Sequence, residues 1–215
     1  MDRLIAAASP PLSDADPTFD VPGADGLSAL LARKNGFYAF ESALHVYPAA
    51  PVGVPGRSLA EWNAPDLWKA AYGELAPVGI CFAEDIFGGQ FVLAVDGTVD
   101  RFDHETGRQT RAATSVAEWV ALVLADYNYQ TGYSAGHEWQ IAHGALRVGH
   151  RLTARIPFVV GGEFAAGNLV EVDAAAAMNY WGGFARRVAG VPDGAELSWD
   201  VSVVDTLTSP RTVSG

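Results

Sequence analysis

The chain is poor in lysine and cysteine and has no long apolar run. Lysine occurs only at Lys34 and Lys69; arginine supplies the remaining fixed positive charge. With 14 basic against 25 acidic residues, the formal net charge is −11. That balance speaks against nucleic acid as a partner, because phosphate contacts depend on Lys and Arg. It favours a basic partner, since opposite charge steers encounter. The single cysteine, Cys81, forbids an internal disulfide and fits a reducing compartment. No segment approaches the roughly 20 apolar residues that span a bilayer. The opening Met1-Asp2-Arg3 and the short apolar run over 4–8 fall short of a secretory signal. The expectation is a cytoplasmic protein without membrane attachment.

What is present suffices for a real core. The 215 residues are 49% hydrophobic and 18% charged, which excludes global disorder and allows one domain or two small lobes. Residues 1–23 carry Pro10, Pro11, Pro17 and Pro22 and read as a flexible, extended lead-in. Leu27, Leu30 and Leu31 follow helix spacing, and Asn35-Gly36 stops that helix. Residues 37–46 are aromatic without a clean period, and 48–57 form an irregular loop. Ser58 caps a short helix through Trp62, and Trp68, Ala71 and Tyr72 share the face of another turn; both tryptophans read as packing residues.

Strands are expected over 78–82, 91–95 and 98–102, the second buried on both faces. Asp96-Gly97 then signals a two-residue hairpin, and Glu105-Thr106-Gly107 a second turn. Ser115, with Glu118 three residues on, is a capping box ahead of the apolar face Val116, Trp119, Val120 and Val123. Residues 127–137 are aperiodic and mark a lobe boundary. Beyond them, strands are expected around Leu146, Val148 and Leu152 and over 156–160. Asp173 caps a helix through Val188, with Gly190 after it. Pro192-Asp193-Gly194 is a turn, and Leu197, Trp199, Val201 and Val203 alternate as a half-buried strand. The expected fold class is therefore α+β, with one domain over 24–126, a smaller β-rich lobe formed by an α+β extension over 127–205, and a tail over 206–215.

Gly132-Tyr133-Ser134-Ala135-Gly136 fits the nucleophile-elbow pattern. An elbow needs a buried strand before the serine, and the preceding Asp126-Tyr127-Asn128-Tyr129-Gln130-Thr131 is not one. A serine hydrolase using Ser134 with a histidine from 137–150 is the least favoured reading. His137, His143 and His150 lack metal-ligand spacing and no cysteine joins them, so no metal is expected. Cys81 reads as a core thiol. The Gly-rich stretches lack a nucleotide-binding spacing, so no cofactor is expected. Glu84, Asp85, Asp96, Asp100, Asp103 and Glu105 concentrate acidic charge in a short stretch. They read either as solvated turns and sheet edge or as an acidic patch for a basic protein.

The run Leu30-Leu31-Ala32-Arg33-Lys34-Asn35-Gly36-Phe37-Tyr38-Ala39-Phe40-Glu41, continuing to Pro48, resembles the opening of a SUKH-superfamily domain. Phe82-Ala83-Glu84-Asp85-Ile86-Phe87-Gly88-Gly89-Gln90-Phe91 resembles that family's strand, acidic-aromatic-glycine turn and following strand. Asp96-Gly97, Glu105-Thr106-Gly107 and the helix at Glu118-Trp119 continue the order, covering about 26–126. Residues 137–205, around Pro157 to Glu163 and Leu169, resemble an extension found behind such domains. The resemblance implies a mainly antiparallel sheet with packed helices over 24–126 and a binding, non-enzymatic role. In bacteria that role is commonly immunity, the neutralisation of a cognate toxin domain by occlusion. A regulatory module with another protein partner is the alternative. The bias to Ala, Gly and Arg over Lys accords with a GC-rich bacterial genome.

Overall fold

The computed structural model describes residues 1–17, 21, 23–50, 56–192, 200 and 202–208. Its framework is an antiparallel sheet of six strands in chain order: β1 (Phe37–Ala39), β2 (Leu44–Val46), β3 (Ile80–Asp85), β4 (Gln90–Leu93), β5 (Val99–Phe102) and β6 (Gln109–Ala113). The helices in chain order are α1 (Asp2–Ala6), α2 (Asp25–Arg33), α3 (Leu59–Trp62), α4 (Ala70–Tyr72), α5 (Val116–Ala125), α6 (Tyr127–Thr131), α7 (Tyr133–His143), α8 (Ala174–Val188) and α9 (Ser202–Asp205). A second, two-stranded antiparallel sheet pairs β7 (His150–Ala154) with β8 (Leu169–Asp173). The fold is α+β, as the patterning implies.

Strand β4 is buried on both faces, and aromatic rings explain why. Phe82 and Phe91 meet the Trp119 ring of α5 edge to face, with centroids 4.9 and 5.2 Å apart. Elsewhere Trp68 and Tyr72 pack on Phe102, while Trp62 Nε1 donates to Gln90 Oε1 at 2.8 Å. Cys81 lies in this core, and burial pushes its thiol up to about 12. Helix α8 closes over α4. Its Gly182 approaches so closely that a Cβ there would lie 2.8 Å from Ala71.

Local signals hold in detail. Ser58 and Glu61 form a reciprocal capping box on α3. Ser115 Oγ accepts from Glu118 N, but the Glu118 carboxylate reaches one residue further back, to Thr114 N and Oγ1. Asp173 Oδ1 caps α8 by accepting from Ala175 N and Ala176 N. The Asp96-Gly97 hairpin forms, with a loop of three residues rather than two. Gly97 N donates to Ala94 O and Ala94 N to Thr98 O, with Gly97 at φ +82° supplying the left-handed residue.

Several expectations are corrected. The lead-in is structured over its described part. Leu4 of α1 is fully buried, and Lys34 Nζ donates to the carbonyls of Ile5, Ala8 and Ser9. Ser9, Leu12 and Ser13 then donate to the carbonyls of Tyr38, Gly36 and Asn35, covering the β1 edge of the sheet. The aperiodic residues over 127–137 form α6 and the start of α7. The strand expected over 156–160 is a 3-10 turn, Phe158–Val160, because Pro157 ends the extended run and the β7 pairing stops at Ala154. Of the strand expected over 197–203, Ser202 and Val203 lie in α9 and most of the remainder falls outside the described residues. Residues 51–55, 193–194 and 209–215, within the expected loop, turn and tail, also fall outside.

Candidate binding cleft

Asp85 ends β3 and organises the turn after it. Its Oδ1 accepts from Phe87 N and Gly89 N, both at 2.8 Å. Its Oδ2 pairs with Arg101 of β5. Arg101 also donates from Nη1 to Gln130 O at 3.0 Å, and its guanidinium lies 4.5 Å from the Phe91 ring centroid. One arginine thus ties the sheet end to α6. In the next hairpin, Asp103 Oδ1 accepts from Glu105 N and Thr106 N. Glu105 is buried, and its two carboxylate oxygens accept from Phe158 N and Val159 N at 2.9 and 2.8 Å. Burial raises its pKa against the pull of His104 and of these two donors.

These contacts enclose a cleft of about 750 Å³ between the two sheet turns, the α6–α7 junction and the connection from β7 to β8. Its walls include Phe87, Phe158 and Phe164, with Tyr129 among the α6–α7 residues that line it. Phe158 and Phe164 stack at 3.8 Å, and Phe87 meets both edge to face. Tyr129 remains 81% exposed, Phe164 65% and Val159 52%. The volume lies within the range of about 300–1,000 Å³ usual for binding pockets.

Gly132 and Gly136 have packing reasons. A Cβ on Gly132, at φ +70°, would run into the Phe87 ring, and one on Gly136 into Ile86. Gly132 joins α6 to α7, and Ser134 sits in the first turn of α7 with its N–H donating to Asn128 Oδ1. A helix, not a strand, precedes the serine, so the elbow geometry is not formed. His137 pairs with Glu41, His143 stacks on Trp139, and His150 faces its own backbone at Val148 O. The histidine lining the cleft beside Ser134 is instead His104.

Of the six acidic residues singled out in the sequence, the fold brings Asp85, Asp103 and Glu105 to the cleft. It does not bring Glu84, Asp96 or Asp100 there, so the single acidic patch is corrected. Neighbours on a strand point to opposite faces, which separates Glu84 from Asp85. Glu84 is buried beside Arg151 of β7, with Nη2 2.7 Å from Oε1, and beside His45 of β2, with Nδ1 3.0 Å from the same oxygen. Burial alone would raise Glu84, but the Arg151 charge and the His45 hydrogen bond outweigh it and hold the carboxyl at about 2. Burial depresses His45 to about 4, so at neutral pH an uncharged ring donates to Glu84. Asp96 and Asp100 lie along the hairpin edge beside Arg111, at 3.7 and 2.7 Å. The cleft's aromatic wall was missed because its rings come from three separate segments, Phe87 from one, Tyr129 from another, and Phe158 and Phe164 from the third. The legible trace was the set of aromatic residues in the aperiodic 127–137 stretch and the Pro157-Phe158 step.

No family model and no curated protein matches the chain. Among solved structures it is similar to the crystal structure of Atu4351 from Agrobacterium tumefaciens, with a TM-score of 0.51 and 12% identity, over 83% of this chain and 86% of that one. The two share a fold. At that identity the likeness carries the arrangement of sheet and helices and no activity. Among the described residues, no helix is long and apolar enough to cross a membrane.

Proposed function

We propose that the protein is a non-catalytic binding protein whose cleft receives a basic segment of a partner protein. The observation that carries this reading is the cleft's rim. Tyr129, Phe164 and Val159 are left largely exposed around a concave site that also holds Asp103 and Glu105. Aromatic anchors around a pocket with a polar rim are what protein interfaces use for most of their binding energy. The overall charge of −11 adds steering toward a basic surface. In the form the SUKH resemblance implies, the partner is a toxin domain met in the bacterial cytoplasm and inhibited by occlusion. No cofactor enters this role.

The test is affinity capture from the source organism with three baits. They are the unaltered protein, Phe164→Asp, and Ile141→Asp, the last altering an exposed residue outside the cleft. A basic protein held by the first and third baits and lost from the second is expected. Equal recovery on all three would place binding elsewhere. The captured protein also separates the two forms: a toxin domain supports immunity, and a non-toxin partner supports the regulatory alternative.

A further inference from the structure

We propose that the group admitted to the cleft is an arginine side chain of the partner protein. This rests on the docking reading above and names its anchor. The first argument is charge. Asp85 is answered by Arg101, whereas among the described residues no Lys or Arg forms an ion pair with Asp103 or Glu105, and His104 is the one cleft-lining side chain that pulls on Glu105. Glu105 is buried, so its charge is poorly solvated and gains from a cation brought within reach.

The second argument is the rings. Among the described residues, cations lie over Trp68, Phe91 and Tyr38, and none over Phe87, Tyr129, Phe158 or Phe164. Phe164 stacks on Phe158 yet stays 65% exposed, which leaves its outer face open. A guanidinium stacks on such a face and forks to a carboxylate at once, whereas an ammonium is a strongly hydrated point charge.

The third argument is an arrangement the protein already contains. On the wall of the same cleft, Arg101 lies 4.5 Å from the Phe91 ring centroid, pairs with Asp85 and donates to the Gln130 carbonyl. The open side repeats the components. Phe164 and Tyr129 supply exposed rings, and Asp103 and Glu105 supply carboxylates, in the lining of the one cleft. Asn128 and Ser134 also line the cleft. A partner arginine would complete a second copy of this motif.

The experiment is an NMR titration of the full-length, ¹⁵N-labelled protein with three probes. They are acetyl-Ala-Arg-Ala-amide, its lysine counterpart, and its citrulline counterpart, which keeps the shape and loses the charge. The arginine peptide is expected to shift the amides of Asp103, Tyr129, Gly132 and Ser134. It should bind about ten-fold tighter than the citrulline peptide and about three-fold tighter than the lysine peptide. Asp103→Asn, which keeps an oxygen for the turn, should bring the arginine peptide down toward the citrulline value. Equal binding of the arginine and citrulline peptides, shifts confined outside the cleft, or no shifts would each overturn the arginine anchor. Those results leave the docking reading to the capture experiment, in which Phe164→Asp decides it independently.

Discussion

Glu84 and Asp85 leave β3 on opposite faces, and the surroundings on the two sides differ in kind. On one side Glu84 meets Arg151 and His45, all three at least nine-tenths buried. On the other, Asp85 shares a cleft wall with an arginine that is itself partly open to solvent. Enclosed charge must be matched within the fold, and this match draws β2, β3 and β7 together. Charge beside the open cleft is matched only in part: Asp85 has Arg101, while among the described residues Asp103 and Glu105 have no Lys or Arg. A carboxylate thus closes the fold in one place and stands beside an open cleft in the other.

The largest effect that would break this comparison is at the enclosed pair. Glu84→Gln should cost about 3–5 kcal/mol, because it leaves Arg151 buried without a counter-charge. Glu84→Leu combined with Arg151→Met should recover much of that loss. Urea denaturation of the two variants beside the unaltered protein measures both, and a small loss for Glu84→Gln would mean that the cluster is not enclosed in solution.

Acid should act through the same pair. His45 is depressed from 6.5 to about 4 and Glu84 from 4.5 to about 2. For both groups the unfolded chain binds protons first, so stability falls as pH drops from about 6.5 toward 2, by on the order of a few kcal/mol. Glu105, raised by burial, works in the opposite direction. His45→Gln should flatten the upper part of the profile, between about pH 6.5 and 4, in chemical denaturation followed against pH.

Gly132→Ala sharpens the other side. It strains a left-handed residue and drives a methyl group against Phe87, so a loss of about 2 kcal/mol or more is expected, with the cleft wall displaced. Thermal melting reads the first effect, and the amide shifts of Tyr129 and Ser134 read the second. The smallest effect is at Asp96, exposed at the hairpin turn 3.7 Å from Arg111. Asp96→Asn should leave the melting temperature unchanged, and a clear drop would show that a solvated edge charge is supporting the sheet.

Legibility in the sequence followed locality. Helices α5 and α8 were readable because Ser115 and Asp173 announce them and their apolar residues repeat at helical spacing. The Asp96-Gly97 hairpin was readable for the same reason, apart from one loop residue. Helices α6 and α7 were hidden because aromatic and glycine residues carry no helical period there, and their packing on Ile86 and Phe87 decides the conformation. Glu84 and Asp85 looked alike because the groups that distinguish them, Arg151 and Arg101, arrive from other strands. The cleft was half readable: Asp85, Asp103 and Glu105 belong to it, while the rings that shape it come from segments remote in sequence.

The chain-ordered meander has a consequence for synthesis. Each strand of the six-stranded sheet pairs with the one before it, so the sheet can zip together hairpin by hairpin as the chain emerges. Glu84 is laid down early in that process, and Arg151 appears only after all six strands have been made. A nascent chain halted between the two would leave Glu84 with the His45 ring and without its arginine. The arrival of β7 therefore brings the counter-charge of Glu84 last, after the chain of the whole six-stranded sheet has been made.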